Sequence, residues 1–355
     1  MNRLNITLCP ENAARFMDTL SRKTVFAGFD GFIDHIYKVV EGSSGGADTF
    51  FPDMGRFARY LIDKGAACSL EIREQRRKIG GNMPIFANAL GCCGVAVECA
   101  GAVGGEGGEL FRREMHPNCR LHPISPPGVT YALEFGTGKL MLCENEEIGR
   151  MDYCALVRGI GEDAIRRFIR GSDLVALLNW GELPLVSDIW DHIVWDILPD
   201  LVSDKNRILF MDLSDFSNRA ADMSALIGHM EQFSRYFYTV LSVNDNECRL
   251  LAGSAGVSDI RELARYVYGN LSLDELVLHS LGFARCYNGN GVFEQEQEIV
   301  KSPALTTGAG DNFNAGYCVG KLLGLDEAGC LTAGARAAVF YVREGRGAEL
   351  GDLLR

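Results

Sequence analysis

Thr306-Thr307-Gly308-Ala309-Gly310-Asp311-Asn312-Phe313-Asn314-Ala315-Gly316 is the most informative stretch of this chain. Two β-branched residues lead into a Gly-Ala-Gly turn. A helical pattern then continues through Phe313, Tyr317, Val319, Leu322 and Leu323. Glycines let such a turn aim successive backbone N–H groups at one concave face. Those groups sit at a helix N-terminus, where the dipole favours negative charge. The turn is therefore a place to hold a phosphoryl group. Asp311 follows in the first turn, where a carboxylate can accept a proton from an attacking hydroxyl. In isolation Asp311 reads better as an N-cap, worth ~1 kcal/mol.

Upstream, short apolar runs alternate with helical patterns. Thr24 to Ala27, Val95 to Ala100, Asp173 to Leu178, Arg207 to Met211, Tyr236 to Leu241 and Glu275 to Leu278 read as strands buried on both faces. Helices are expected over about 161–170, 187–197, 218–233 and 260–268, and a small, tightly packed one over 82–90. Strand-helix repetition predicts an α/β protein with a mainly parallel sheet and helices on both faces. Ligands in such sheets bind outside the carboxyl ends of the strands. Asp30, Asn179, Asp212, Asn244 and Ser280 collect at those ends.

Two segments, about 37–77 and 119–143, break the alternation. The first holds a Gly/Ser stretch (Gly42 to Gly46), a helix around Asp53 to Lys64 and the strand-like Cys68 to Ile72. The second reads as a hairpin, Val129 to Phe135 and Lys139 to Cys143, around a Gly136-Thr137-Gly138 turn. Together they are expected to form a small β-rich lid on a single domain spanning 1–355.

Competing motifs fail. No G-x-x-x-x-G-K-[ST] occurs, since Leu322 stands where the hydroxyl is needed. No G-x-G-x-x-G follows the first strand, so P-loop and dinucleotide sites are disfavoured. The chain has 355 residues and a net charge of -12. Such a surface repels nucleic acid and anionic membranes. No run reaches the ~18 apolar residues needed to span a bilayer, and the N-terminus lacks a signal-like apolar stretch, so a cytoplasmic protein is expected. The twelve cysteines lack any C-x-x-C pair and read as small, reduced core residues. The six histidines show no metal-ligand spacing.

The stretch from Thr306 to Gly316 resembles the C-terminal signature of the ribokinase-like (PfkB) carbohydrate kinases. The resemblance covers most of the chain. Lys78-Ile79-Gly80-Gly81-Asn82, followed by Ala87 to Gly91, is similar to the family's N-terminal signature. Ala100 to Gly108 resembles its V-G-x-D-x-x-G stretch, with Glu106 in the acidic place. Asn244-Asp245-Asn246-Glu247 fits its N-x-x-E motif, and Ser280-Leu281-Gly282 the T-x-G before its nucleotide loop. The resemblance implies a three-layer α/β/α fold and transfer of the ATP γ-phosphate to a hydroxyl of a sugar-like molecule. It implies Asp311 as base and the amides of Gly308, Ala309 and Gly310 as anion hole. Asn244 and Glu247 would organise Mg²⁺, largely through water, while Ser280 and Gly282 would border the nucleotide. Gly80, Gly81 and Asn82 would approach the acceptor together with Asp34 or its rival Asp30. It also implies lids that pair across a homodimer.

Three departures accompany it. Leu305 stands where the family often has Asp, which leaves a K⁺ site in doubt. The segment between Asp34 and Gly80 is enlarged, and Asn82 directly follows the glycine pair. Two other readings compete: a nucleoside kinase that stacks a base on Phe29, Phe32 or Tyr37, and a non-catalytic sugar-binding protein. The Gly-Ala-Gly-Asp turn argues against the second, because a pure binder needs no base.

Overall fold

The computed structural model describes residues 8–136, 138–253 and 255–355. The strands of the N-terminal half are β1 (Thr24–Phe29), β2 (Phe32–Ser44), β3 (Ala47–Phe50), β4 (Ile72–Gly80), β5 (Ala96–Gly101), β6 (Cys119–Pro123), β7 (Gly128–Phe135) and β8 (Gly138–Glu144). Those that follow are β9 (Leu174–Leu178), β10 (Ile208–Asp212), β11 (Tyr238–Val243), β12 (Glu275–His279), β13 (Phe283–Asn288) and β14 (Gly291–Glu296).

Nine of them form one sheet in the order β14-β13-β12-β11-β10-β9-β1-β5-β6. From β6 to β12 every neighbouring pair is parallel, and the β12–β13 and β13–β14 pairs are antiparallel. Alternate residues feed two separate cores, because side chains along a strand have period two. Val25, Ala27, Leu174, Ala176 and Phe210 face one core, shared with helices Asn82–Cys92, Ala309–Leu322 and Glu327–Glu344. Phe26, Val175, Leu177, Leu209 and Met211 face the other, shared with helices Glu162–Gly171, Met223–Phe233 and Ile260–Asn270. The result is the expected three-layer α/β/α fold. Cys93, Cys99, Cys119, Cys248, Cys286, Cys318 and Cys330 lie buried as free thiols.

A second sheet has the order β3-β2-β7-β8 with β4 on β2, and it starts at the carboxyl end of β1, which leads within three residues into β2. It differs from expectation in three places. Cys119–Pro123 pairs with β5 and belongs to the large sheet, so the second lid segment starts at Gly128. The strand expected over Cys68 to Ile72 is instead Ile72–Gly80. Its outer six residues are exposed and mostly charged, so they carry no apolar alternation. The Gly/Ser stretch is partly strand, because β2 runs thirteen residues before turning at Gly45-Gly46. The helix around Asp53 is Met54–Lys64, with the Asp53 carboxylate accepting from the Arg56 amide at 2.7 Å. Thr137 of the predicted turn lies outside the described residues. Among the described residues no helix is long and apolar enough to cross a membrane.

Candidate active site

Gly308 begins the site. Its φ of 98° is left-handed, and a Cβ there would meet the Tyr341 hydroxyl at 2.9 Å and Ile85 Cδ1 at 3.0 Å. Only glycine fits that conformation in that space. Helix Ala309–Leu322 starts at once. Among the described residues the Gly308 and Gly310 amides have no hydrogen-bond acceptor, whereas the Ala309 amide donates back to the Thr306 carbonyl at 3.2 Å. Of the three amides expected in the anion hole, two are therefore free and one is engaged within the turn.

Asp311 faces the cleft from the first turn of this helix. Burial pushes its carboxyl well above the usual carboxylate range, and the carboxylates of Asp212 and Asp30 push it further. Lys78 opposes them. A helix N-terminus would have favoured ionisation, so desolvation and like charge prevail here.

The structure separates the roles of Asp30 and Asp34. Asp30, fully buried at the end of β1, accepts from the Asn82 amide (2.7 Å), the Met83 amide (2.8 Å) and Asn179 Nδ2 (2.8 Å). It caps helix Asn82–Cys92 from outside. Asp34 points elsewhere. Strand register puts Lys78, Asp34, Thr130 and Cys143 in one rank across β4, β2, β7 and β8. The Lys78 ammonium lies 3.4 Å from the Asp34 carboxylate, and both side chains are buried. The next rank, Ile36, Ala132 and Met141, rests on Leu305 and Tyr341 beside the Gly308–Gly310 turn. On the same lid, Lys139 donates to the Thr307 hydroxyl. Burial lowers the Lys139 pKa, and Asp34 and Asp311 act in the opposite direction.

Gly80 lies against Asp34: an added Cβ would sit 2.3 Å from its Oδ1. Gly81 precedes helix Asn82–Cys92 and Asn82 opens it. Gly80→Ala is expected to lower kcat/KM for the acceptor by about 10²-fold through displacement of Asp34, with KM for ATP unchanged. Steady-state kinetics varying each substrate in turn check this, and an effect on ATP alone would contradict it.

Glu182 completes this wall; the sequence reading singled out Asn179 at this strand end and not Glu182, three residues on. Asn179 Nδ2 bridges Asp30 and Glu182 (2.9 Å to the latter). Burial raises the Glu182 pKa, with added repulsion from Asp30, Asp215 and Asp34.

Asn244 and Glu247 cap one helix reciprocally. Asn244 Oδ1 accepts the amides of Asn246 and Glu247 at 2.9 and 3.0 Å. The Glu247 carboxylate accepts the Asn244 amide (3.0 Å) and Nδ2 (2.6 Å). Glu247 is buried, not a surface residue. Desolvation raises its pKa well above normal, aided by Asp212 and Asp311. No cluster of three metal-ligating side chains exists among the described residues. Beyond the Gly308–Gly310 turn lies a cavity of about 530 Å³, bounded by His279, Ser280, Leu281, Ile299, Pro303 and Val342. Ser280 donates to Asp245, and the Gly282 carbonyl accepts from the Gln297 amide at 2.9 Å. His279, unremarked in the sequence, packs on Phe313 with 5.4 Å between ring centroids; burial pulls its pKa down to about 4. Phe29 and Phe32 are consumed in the core, and Tyr37 stacks on His35 and Tyr131 outside the cleft. None is placed to stack on a base.

The chain matches the model of the prokaryotic ketohexokinase family over residues 7–354. It is 28% identical over 329 residues to a ketohexokinase of Haloferax volcanii, covering 90% of this chain and 87% of that one. A putative ribokinase II from E. coli, solved with ATP and Mg²⁺, superposes with a TM-score of 0.63 at 13% identity, covering 93% of this chain and 97% of that one. An Arabidopsis thaliana ribokinase, solved with ribose and ATP, gives 0.62 at 16% identity, with 94% and 97% covered. The chain thus has the ribokinase fold, acts as an ATP-dependent sugar kinase, and belongs to the prokaryotic ketohexokinase family.

Proposed function

We propose that the protein transfers the γ-phosphate of ATP to a hydroxyl of a ketohexose, with Asp311 taking the hydroxyl proton. The observation that carries this reading is the pairing of Asp311 with two unused amides, Gly308 and Gly310, at one helix start. The relative from Haloferax volcanii supports the choice of acceptor. Asp34, Glu182, Gly80, Gly81 and Asn82 hold and orient the sugar hydroxyls. Asp30 acts one step back by fixing the helix that presents Asn82. The two free amides stabilise the charge that builds on the transferring phosphoryl oxygens. The adenine occupies the cavity beyond the turn, beside Ser280 and Gly282.

A buried carboxylate near two others favours a cation close by, so the chemistry of Glu247 fits Mg²⁺. Its oxygens already accept from Asn244, so the contact runs through water, which Mg²⁺ keeps readily. When bound, the ion offsets phosphate charge. The decisive test is a phosphorylation screen with ATP and ketohexoses, aldoses, pentoses and nucleosides. A ketohexose with the highest kcat/KM supports the proposal, and a nucleoside in that place overturns it.

The reaction is also proposed to need no K⁺. Leu305 packs against Ile36, Ala132 and Tyr341 instead of offering a carboxylate, and the Thr307 carbonyl accepts from the Tyr341 hydroxyl at 2.8 Å. Rates measured in K⁺ and in tetramethylammonium buffers are expected to agree, and dependence on K⁺ would refute this. The outer lid face carries His35, Tyr37 and Tyr131 in a stacked row beside Leu142, which is 51% exposed. That apolar face supports a homodimer through the lid. A sizing measurement that finds only monomer would remove it.

A further inference from the structure

A cavity of about 400 Å³ opens beside the acceptor site, between the root of β4, helix Asn82–Cys92 and the loop 345–349. The reaction described above uses none of it. Arg76, Lys78 and Arg346 line it. Lys78 is 4% exposed, and among the described residues its ammonium has no hydrogen-bond acceptor. Its nearest opposite charge is Asp34, 3.4 Å away. Asn312, 1% exposed, also lines the cavity. Its Nδ2 donates to the Gly308 carbonyl at 2.8 Å, while its Oδ1 has no donor.

Neither Arg76 nor Arg346 forms an ion pair among the described residues; Arg346 only donates to the Gly347 carbonyl at 3.3 Å and covers the Phe340 ring. Of the two carboxylates in the lining, Glu114 accepts from the Ile79 amide (3.2 Å) and Arg113 (3.0 Å), and Glu349 sits exposed at the start of the last helix, its own amide donating to the Asp352 carboxylate at 3.1 Å. Three cations without full partners face one cavity on a chain of net charge -12.

We propose that this cavity binds a small oxyanion, a phosphate or carboxylate group, through Arg76, Lys78 and Arg346, with Asn312 Oδ1 accepting from an O–H of the same ligand. An ammonium buried without hydrogen bonds is costly, and an oxyanion supplies the missing acceptors. Guanidinium forks match the two oxygens of such a group. A metal ion would be repelled by the same lining, and an apolar ligand would leave Lys78 and Asn312 unsatisfied.

Lys78 has the cavity on one side and Asp34 on the other. An anion in the cavity draws on the charge that otherwise holds Asp34. Occupancy therefore changes acceptor affinity, and by linkage the acceptor changes anion affinity equally. This coupling rests on Asp34 as an acceptor-binding residue, whereas anion binding itself does not. The group has two sources: a free anion acting as effector, or an anionic group carried by the acceptor.

The test is calorimetric titration of the full chain with inorganic phosphate at matched ionic strength, for the parent, Arg346→Ala and Arg76→Ala. Both arginines are exposed, so the variants are expected to fold, and a thermal melt confirms it. Saturable binding is expected in the parent, weakened about tenfold in either variant, the equivalent of ~1.4 kcal/mol. Binding requires no turnover, so its failure is distinct from failure of the kinase reading. Kinetics then separates the sources. A free effector shifts KM for the neutral ketohexose in the parent but not in Arg346→Ala. An anionic acceptor shows a lower KM than the neutral sugar, and Arg346→Ala raises that KM alone. No saturable phosphate binding, or equal binding in all three proteins, overturns the site.

Discussion

Asp311→Asn is expected to lower kcat by about 10³-fold, within the span that a positioned general base contributes, while the melting temperature and KM for ATP stay near those of the parent. The amide keeps the size of the carboxylate but cannot take the hydroxyl proton. The amides of Gly308 and Gly310 remain, so binding of the phosphate chain persists. The parent's pH profile carries a second signature. Burial and the carboxylates of Asp212 and Asp30 hold the Asp311 pKa high. The active form is the ionised one, so kcat/KM is present above that pKa and falls as pH drops through it. The acid limb therefore lies above the ordinary carboxylate range, ~4, and the residual activity of Asp311→Asn lacks it. Steady-state rates between pH 5 and 8 check both points. A variant as active as the parent would remove Asp311 as base.

Asp30→Ala is expected to destabilise the protein by about 3–5 kcal/mol, because it strands buried donors. The amides of Asn82 and Met83 and the Asn179 side chain all donate to that carboxylate, and no water replaces it in a fully buried place. Asp30→Asn is a poor rescue, since its NH₂ would face donors. Burial raises the Asp30 pKa to about 6, above ~3.9 for an unfolded chain. Its protonated form therefore contributes stability that is full below ~3.9 and lost as pH rises through about 6. The parent bears this loss and the alanine variant does not. The gap in unfolding free energy between them is expected to be narrower at pH 8 than at pH 5. Urea melts at the two pH values measure it, and a gap that widens with pH would contradict the assignment. Acceptor KM should also rise in the variant, because helix Asn82–Cys92 loses its cap.

Legibility in the sequence followed burial. Strands β1, β5 and β9 to β12 are apolar on both faces, and each announced itself within one or two residues of its ends. The outer half of β4 and the edge strand β14 are exposed and polar, so no apolar period marked them. Cys119–Pro123 was assigned to the lid because a parallel edge strand carries little signal of which sheet it joins. Glu182 escaped because it follows its strand by four residues and gains meaning only from Asn179, which reaches both it and Asp30. Leu305, a departure from the family pattern in the sequence, is explained by the lid residues that rest on it.

By itself the sequence determined what depends on neighbours within a turn: the left-handed Gly308, the helix start behind it, the Asn244 and Glu247 cap, and the carboxylate of Asp311. Local backbone conformation and capping act over three or four residues, so a short motif carries them. Tertiary structure alone decided that Asp30 caps helix Asn82–Cys92 while Asp34 pairs with Lys78, that Lys139 reaches Thr307, and that Arg76 and Arg346 line one cavity. Those outcomes depend on strand register, where a one-residue slip sends every side chain to the opposite face. Register is set by contacts between segments as far apart in the chain as Val25 and Leu174.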